Sequence, residues 1–256
     1  MTGGHAPFEV VCEIEPPTKP DLRPVRHQIG VLSRVASAFL VPDNHLGRAT
    51  VSSIAVAHEV EAMGGRSIAC LNSRDRNLLG LRRDLLTAAA YGVDQFLLVH
   101  GDEPAAGART SQLRVREMID EVRAFPADRP FRAGTVTALG PVVEWKRASD
   151  FVFVQVSFSL DALLRWRDAT RLDVPVYAGV MVVASERMAK RLRDGPAGID
   201  IPADLVERVA RDRAAGVEAA CELVLALRES GAFAGAHLVP VSRYREVAAR
   251  LEPELA

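Results

Sequence analysis

Two glutamates close the first apolar segment of the chain, where a carboxyl group could act as an acid. Glu13 and Glu15 lie at the C-terminal end of a β-rich run over 8–14, just before two prolines. Because strand side chains alternate, both carboxylates share one face with Val11. Burying a carboxylate on an apolar strand costs free energy, so the pair indicates a functional role rather than packing.

The two glutamates are predicted to have different roles. Glu13 is expected to be a general acid, kept protonated by burial and by negative charge from Glu15 or Asp102. The alternative is a structural carboxylate that pairs with an arginine inside the fold. Glu15 sits beside the prolines and is predicted to be a solvated residue at the rim of the site.

Three further polar residues follow or interrupt apolar runs in a way that suits a ligand. Asp102 follows the turn at Gly101 and could accept hydrogen bonds from an amide-like edge, or it could simply stabilise the turn. His100 could polarise a ligand, or be a satisfied histidine at a strand end. Gln155 lies in the apolar run 151–156 and offers a donor and an acceptor, which suits a heterocycle or a structural network equally.

The remaining polar residues at segment ends are carboxylates and amides more than metal ligands. This set lacks the Cys and His density of a transition-metal site, so no metal is predicted. Cys12, Cys70 and Cys221 are odd in number and widely spaced, which favours neither a disulfide framework nor a zinc site. The other members of the set are Asp43, Asn44 (a candidate pocket residue), Asn72 and His237.

Apolar runs and amphipathic segments alternate along the whole chain. Eight strands, each followed by a helix, predict a single (β/α)8 barrel over 1–256. A doubly wound open sheet is the alternative, but no GxGxxG fingerprint follows any strand. Strands are predicted at 8–14, 37–42, 66–71, 94–99, 131–137, 150–156, 174–183 and 236–241, and helices at 21–35, 50–63, 76–91, 110–124, 141–148, 160–170, 185–193, 203–230 and 243–252.

The barrel prediction also explains why the candidate residues matter. Active sites of such barrels gather at the C-terminal ends of the strands, which is where Glu13, His100, Asp102 and Gln155 fall. All of them are therefore expected to reach one mouth of the barrel.

Composition excludes several other classes of protein. The formal net charge of −1 gives no sign of nucleic-acid or anionic-membrane binding. Residues 1–5 lack the features of a signal peptide, and no run is apolar enough to span a membrane. A cytoplasmic protein, possible as a monomer, is predicted.

Six collinear segments resemble the methylenetetrahydrofolate reductase family, and together they are more specific than any one of them. The first, 12–17 (CEIEPP), is similar to the first-strand FEFFPP element, with Glu13 at the position of the catalytic glutamate. Glu15 stands where the family usually has an aromatic residue. The others are 70–77 (similar to TCRDRN), 100–104 (RGDxP or TGDxP), 153–155 (ITQ), 178–181 (PGIxP) and 235–238 (the closing G-x-H strand).

The resemblance implies a reaction and roles for individual residues. Members of the family reduce 5,10-methylenetetrahydrofolate to 5-methyltetrahydrofolate. Glu13 would be the acid that helps open the imidazolidine ring, and Asp102 and Gln155 would hold the pterin. Glu15, Asn44 and His100 would line the pocket.

Three flavin-contacting elements of the family are missing from this sequence. The YPExHP segment is replaced by 135–141 (TVTALGP), the arginine before Gly-Asp is His100, and no YAxDL helix start is recognisable at 112–114. The chain thus resembles the short flavin-independent reductases of the mycobacterial type. That implies direct hydride transfer from NADH, or NADPH, without FAD, and the sequence does not locate the NAD(P)H site.

Two other functions remain open at this level. One is an FAD-dependent reductase with a remodelled pocket. The other is a folate-binding subunit without reductase activity, which the retained Glu13 argues against because binding alone needs no acid.

Overall fold

The computed structural model describes residues 7–110, 112–194 and 199–255. The prediction about a signal peptide concerns residues 1–5, which lie outside this part of the chain. Within the described residues, no helix combines the length and apolar character needed to cross a membrane.

Eight parallel strands close into one barrel in sequence order, as predicted. The barrel closes where the first strand pairs with the last. The strands are β1 (Glu9–Glu13), β2 (Ala38–Val41), β3 (Ser67–Asn72), β4 (Gln95–Val99), β5 (Arg132–Thr137), β6 (Phe151–Val154), β7 (Val176–Met181) and β8 (Gly235–Val239). This confirms the (β/α)8 fold class.

Helices cover the outside of the barrel and follow each strand. The described helices are α1 (Arg23–Leu32), α2 (Ser53–Ala62), α3 (Leu78–Ala90), α4 (Val115–Ala124), α5 (Glu144–Arg147), α6 (Leu160–Thr170), α7 (Glu186–Arg193), α8 (Ala203–Arg211), α9 (Ala215–Ser230) and α10 (Tyr244–Leu255). A single 3₁₀ turn, His45–Gly47, follows β2.

The prediction of one helix over 203–230 is wrong, because two helices occupy this range. Asp212 is extended, and its Oδ1 accepts a hydrogen bond from the Ala214 N–H at 2.9 Å. This local bond competes with the helical hydrogen bonds at the break. The break contains neither glycine nor proline, so the sequence gives no strong signal for it.

The sequence predicts one apolar stripe along α3, and only part of this stripe is buried; its members are Leu78, Leu79, Leu81, Leu85 and Leu86. Leu81 and Leu85 are fully buried, but Leu79 and Leu86 are 79% and 62% exposed. A helix turns by about 100° per residue, so Leu79 and Leu86 lie about 160° and about 140° around the helix from Leu81, on its exposed side.

Side chains alternate between the inside and the outside of the barrel. Cys12 and Ile14 pack outward against the helices, whereas Val11 points inward, so the predicted facing of β1 is correct. The apolar interior of the barrel consists of Val11, Ala38, Leu40, Ile68, Cys70, Leu97, Phe151, Phe153 and Tyr177.

One position in the barrel interior, Gly134, has no room for a side chain. Gly134 of β5 pairs with Phe151 of β6, and a Cβ on Gly134 would lie 2.0 Å from the Phe151 ring. The ring therefore fills the space that another residue type at position 134 would need.

We predict that Gly134→Ala lowers the free energy of unfolding by about 1–3 kcal/mol, because overpacking forces the aromatic ring out of place. Gly140→Ala is the matched control, since nothing lies within 4 Å of its Cβ position. Urea unfolding measures both variants, and equal midpoints would contradict the steric argument.

Candidate active site at the barrel mouth

Glu13 ends β1 on the inward face and meets a histidine from β8. Its Oε2 lies 3.3 Å from Nε2 of His237, and the two side chains are 18% and 13% exposed. The register explains the contact, because Val11 pairs with His237 and Glu13 is the next inward residue along β1. The ring of Phe153 meets the imidazole edge-on, with centroids 5.2 Å apart.

The contact between Glu13 and His237 is close without being a hydrogen bond. The distance suits an ion pair, which requires the imidazole to be protonated. The His237 Nε2 atom is buried and has no hydrogen-bond partner among the described residues. The pair is therefore arranged so that the position of a proton decides the strength of the interaction.

His237 is the residue whose part in the site was not assigned from the sequence. In the sequence His237 is one of several polar residues at strand ends, and only the closing G-x-H segment distinguishes it. Its neighbour Glu13 comes from the opposite end of the chain, so spacing alone could not pair them.

Gln155 immediately follows β6 and lies at the same mouth. Its N–H donates to the Thr137 carbonyl at 2.8 Å, which continues the pairing of β5 and β6. By alternation it shares the inward face of Phe153, and its side chain is half-buried. This is the location that the sequence predicts for a ligand-holding amide.

Asp102 is exposed and already has a structural partner. Its Oδ2 accepts the Leu46 N–H at 2.8 Å, which ties the loop after β4 to the loop after β2. The Ala105 N–H donates to the Gly47 carbonyl at 2.8 Å and makes a second tie. Gly47 has φ +68, and a Cβ there would lie 1.9 Å from the Glu103 carbonyl oxygen, so this approach requires glycine.

Two candidate pocket residues, Asn44 and His100, are also held by protein contacts. The Asn44 Nδ2 donates to Asp75 at 2.5 Å and its Oδ1 accepts from the Thr50 N–H at 3.2 Å. The His100 ring contacts Ser73 Oγ at 3.2 Å and accepts from Arg74 Nε at 3.1 Å.

The third candidate pocket residue, Glu15, lies outside the barrel interior. Glu15 lies two residues beyond the end of β1 and is exposed. Glu15 lines a groove of about 490 Å³ beside the mouth, together with Lys19, Gln28, Ser242 and Tyr244.

A buried ion pair fixes the loops on the side of β2 and β3. Asp43, whose side chain is 5% exposed, accepts from Arg76 Nη1 at 2.5 Å and from the Asn72 backbone and amide at 3.0 and 2.9 Å. Arg76 also donates to the Asn72 carbonyl at 2.7 Å and to Asp84 at 3.1 Å. Burial raises the pKa of Asp43, and the guanidinium of Arg76 opposes that rise.

The described residues contain no group of three or more His, Cys, Asp or Glu side chains placed to hold a metal ion. The three cysteines are buried and free. Burial raises the pKa of Cys70 well above its ordinary value, and the nearby charges of Glu13 and Asp43 add to this effect. Cys70 is therefore a neutral packing group beside the carboxylate.

The closed barrel defines a (β/α)8 protein, and the carboxyl of Glu13 lies at its C-terminal rim, where active sites of such barrels are found. The family model described as Methylenetetrahydrofolate reductase matches residues 8–252. The chain belongs to the methylenetetrahydrofolate reductase family. A comparison with curated proteins gave no match.

Solved structures with the same fold are distant in sequence. An uncharacterized protein from Clostridium thermocellum that binds two copies of 5-methyl-5,6,7,8-tetrahydrofolic acid has a TM-score of 0.66 at 13% identity, with 98% of this chain and 96% of that chain covered. EDTA monooxygenase from Chelativorans sp. BNC1 has a TM-score of 0.59 at 13% identity, with 96% and 93% covered. DmoA from Hyphomicrobium sulfonivorans has a TM-score of 0.57 at 11% identity, with 98% and 88% covered.

We predict that Arg76→Leu lowers the free energy of unfolding by about 3–5 kcal/mol near pH 7, because Asp43 loses its cation while buried. Losing Arg76 raises the pKa of Asp43 further. A carboxyl whose pKa is raised in the folded state makes the free energy of unfolding fall as the pH rises. Acidification protonates Asp43 and removes its uncompensated charge, so the difference in stability between the variant and the wild type should shrink from about pH 7 towards pH 4.

The control for this variant is Arg82→Leu, which removes an exposed cation paired with Glu121 and should cost less than about 1 kcal/mol. Urea unfolding at several pH values measures both variants. A loss in Arg76→Leu that is independent of pH would contradict the assignment to Asp43.

Proposed function

We propose that this protein reduces 5,10-methylenetetrahydrofolate to 5-methyltetrahydrofolate, with NADH as the direct hydride donor and without flavin. The observation that carries the proposal is the inward carboxyl of Glu13 at the mouth, 3.3 Å from His237. Membership of the family supports the reaction class. The Clostridium thermocellum structure, whose protein binds 5-methyltetrahydrofolic acid, supports folate as the ligand.

Glu13 supplies the proton that the reaction needs. A positioned carboxylic acid that is largely shielded from water is suited to general acid catalysis. In this role Glu13 protonates one of the two folate nitrogens that the methylene carbon joins. The bond between that nitrogen and the carbon then breaks, which opens the five-membered ring. The carbon becomes part of an iminium group with the other nitrogen. Hydride from NADH then adds to that carbon, so one proton and one hydride are consumed for each methyl group formed.

Gln155 and Asp102 hold the pterin in this proposal. The Gln155 amide can pair with a donor and an acceptor on the heterocycle edge. One oxygen of Asp102 is bound to the Leu46 N–H, so its second oxygen would receive the pterin donors. Val136 shares the inward face with Gly134 and is partly exposed at the mouth, which gives the ring an apolar wall.

The residues at the ends of β4 and β5 do not fit the flavin site that the family resemblance implies. His100, in place of the family's arginine, is held by Ser73 and Arg74. After β5 the chain offers Ala138 and Leu139 and then the four-residue α5, whose Lys146 donates to the Val136 carbonyl at 2.7 Å. No step of the proposed reaction therefore passes through a flavin.

A folate-binding protein without reductase activity is the second candidate. It is favoured by the Clostridium thermocellum structure, which is described by what its protein binds. An FAD-dependent reductase is the third candidate, and it differs from the proposal only in the carrier of the hydride.

We predict that flavin-free protein oxidises NADH anaerobically when methylenetetrahydrofolate is present, with one 5-methyltetrahydrofolate formed per NADH. Added FAD should leave the rate unchanged. The visible absorption spectrum of the purified protein and product analysis measure these outcomes. A yellow protein with stoichiometric FAD would favour the FAD-dependent reductase, and folate binding without NADH oxidation would favour the binding protein.

We predict that Glu13→Gln lowers kcat by roughly 10²–10⁴-fold, because the amide keeps the shape of the side chain but cannot supply the proton. Folate affinity, measured by calorimetry, should stay close to that of the wild type. Glu207→Gln on the exposed face of α8 is the matched control. Turnover near the wild-type rate in Glu13→Gln would reject the acid role.

A further inference from the structure

We propose that His237 is the positioning residue for Glu13, which holds the carboxyl group and returns a proton to it after each turnover. This inference rests on the proposed function and extends it to a second residue of the same site. The Nε2 atom of His237 carries the inference. Nε2 of His237 is 3.3 Å from Glu13 Oε2, and it is buried without a hydrogen-bond partner among the described residues.

Burying a ring nitrogen without a hydrogen-bond partner costs free energy. The surroundings of His237 explain why the ring stays where it is. Phe153 contacts it edge-on at 5.2 Å and is itself stacked on Tyr177 at 4.9 Å. On β8, the flanking Ala236 and Leu238 pack on the outside of the barrel. The aromatic packing therefore keeps Nε2 aimed at the carboxyl of Glu13.

The other titratable groups on the strands around this pair do not compete for the proton. Cys70 of β3 stays a thiol, because burial raises its pKa. Tyr177 of β7 donates its hydroxyl to Glu9 of β1 at 2.5 Å, and burial, helped by Glu9, raises its pKa. At the end of β2, Asp43 is paired with Arg76. On these strands, Glu13 and His237 are thus the two groups placed to exchange a proton with each other.

The proton that passes from His237 to Glu13 matches the proton that the reduction consumes. Glu13 gives its proton to the folate nitrogen and becomes a carboxylate. An N–H bond at Nε2 of the protonated His237 ring then breaks, and an O–H bond forms at Oε2 of Glu13. The ring is left as a neutral imidazole and, being 13% exposed, regains a proton from water at the mouth. One solvent proton is taken up per turnover, which is the proton that the reduction consumes.

The first test compares His237→Gln with His58→Gln in steady-state assays. Glutamine can still contact Glu13 but cannot resupply a proton. We expect His237→Gln to lower kcat by about 10–100-fold, to leave KM for the folate within about twofold, and to change the shape of the pH profile of kcat. His58 lies on α2 and stacks on Tyr91 away from the mouth, so its variant controls for the substitution itself. A kcat within about twofold of the wild type in His237→Gln would overturn the proposal.

The second test does not depend on catalysis. The six histidines give ring ¹⁵N signals in NMR spectra, and the signal lost in His237→Gln identifies His237. We expect Glu13→Gln to shift this signal and Glu207→Gln to leave it in place. An unchanged His237 signal in Glu13→Gln would overturn the proposal. A wild-type protein that shows this coupling but does not oxidise NADH would overturn the proposed reductase function while leaving the Glu13–His237 pair intact.

Discussion

The pairing of the first strand with the last is the contact on which the site depends. β1 and β8 are neighbours only because the sheet closes, and their register sets Val11 opposite His237. Paired residues of parallel strands point to the same side, so this register turns both the imidazole and the next inward residue, Glu13, into the mouth. A shift of either strand by one residue would send its own side chain, Glu13 of β1 or His237 of β8, to the outer face. The apolar interior below them, with Phe153 and Tyr177, holds the register in place.

The parts of the fold that follow local periodicity could be predicted from the sequence. Val11 and Cys12 point to opposite faces of any strand, so the inward facing of Glu13 needed only the alternation. The boundary between α8 and α9 did not follow such a rule, because the extended Asp212 stops the helix through its own side-chain hydrogen bond. Leu79 and Leu86 also look like core residues until the buried line of α3 is known.

The residue types at the mouth could be predicted, but their partners could not. Asn44 adopts a left-handed conformation with φ 48 at the start of the 3₁₀ turn after β2. This turn directs the Leu46 N–H towards Asp102. Whether Asp102 meets a ligand or a loop is therefore decided by the conformation of another loop, and spacing along the chain contains no information about it. The same holds for His100, whose ring nitrogens are engaged by residues of the loop after β3.

Asp43 and Glu13 are two largely shielded carboxyl groups with different partners. The charge of Asp43 is balanced by Arg76, a cation at every accessible pH, and by two donors from Asn72. Such a group cannot give or take a proton near neutral pH without losing these bonds. Glu13 instead faces the imidazole of His237 at 3.3 Å, with no arginine or lysine paired to it among the described residues. In the proposed mechanism this difference matters, because a proton can pass between the carboxyl of Glu13 and the imidazole of His237, whereas the guanidinium of Arg76 keeps its proton.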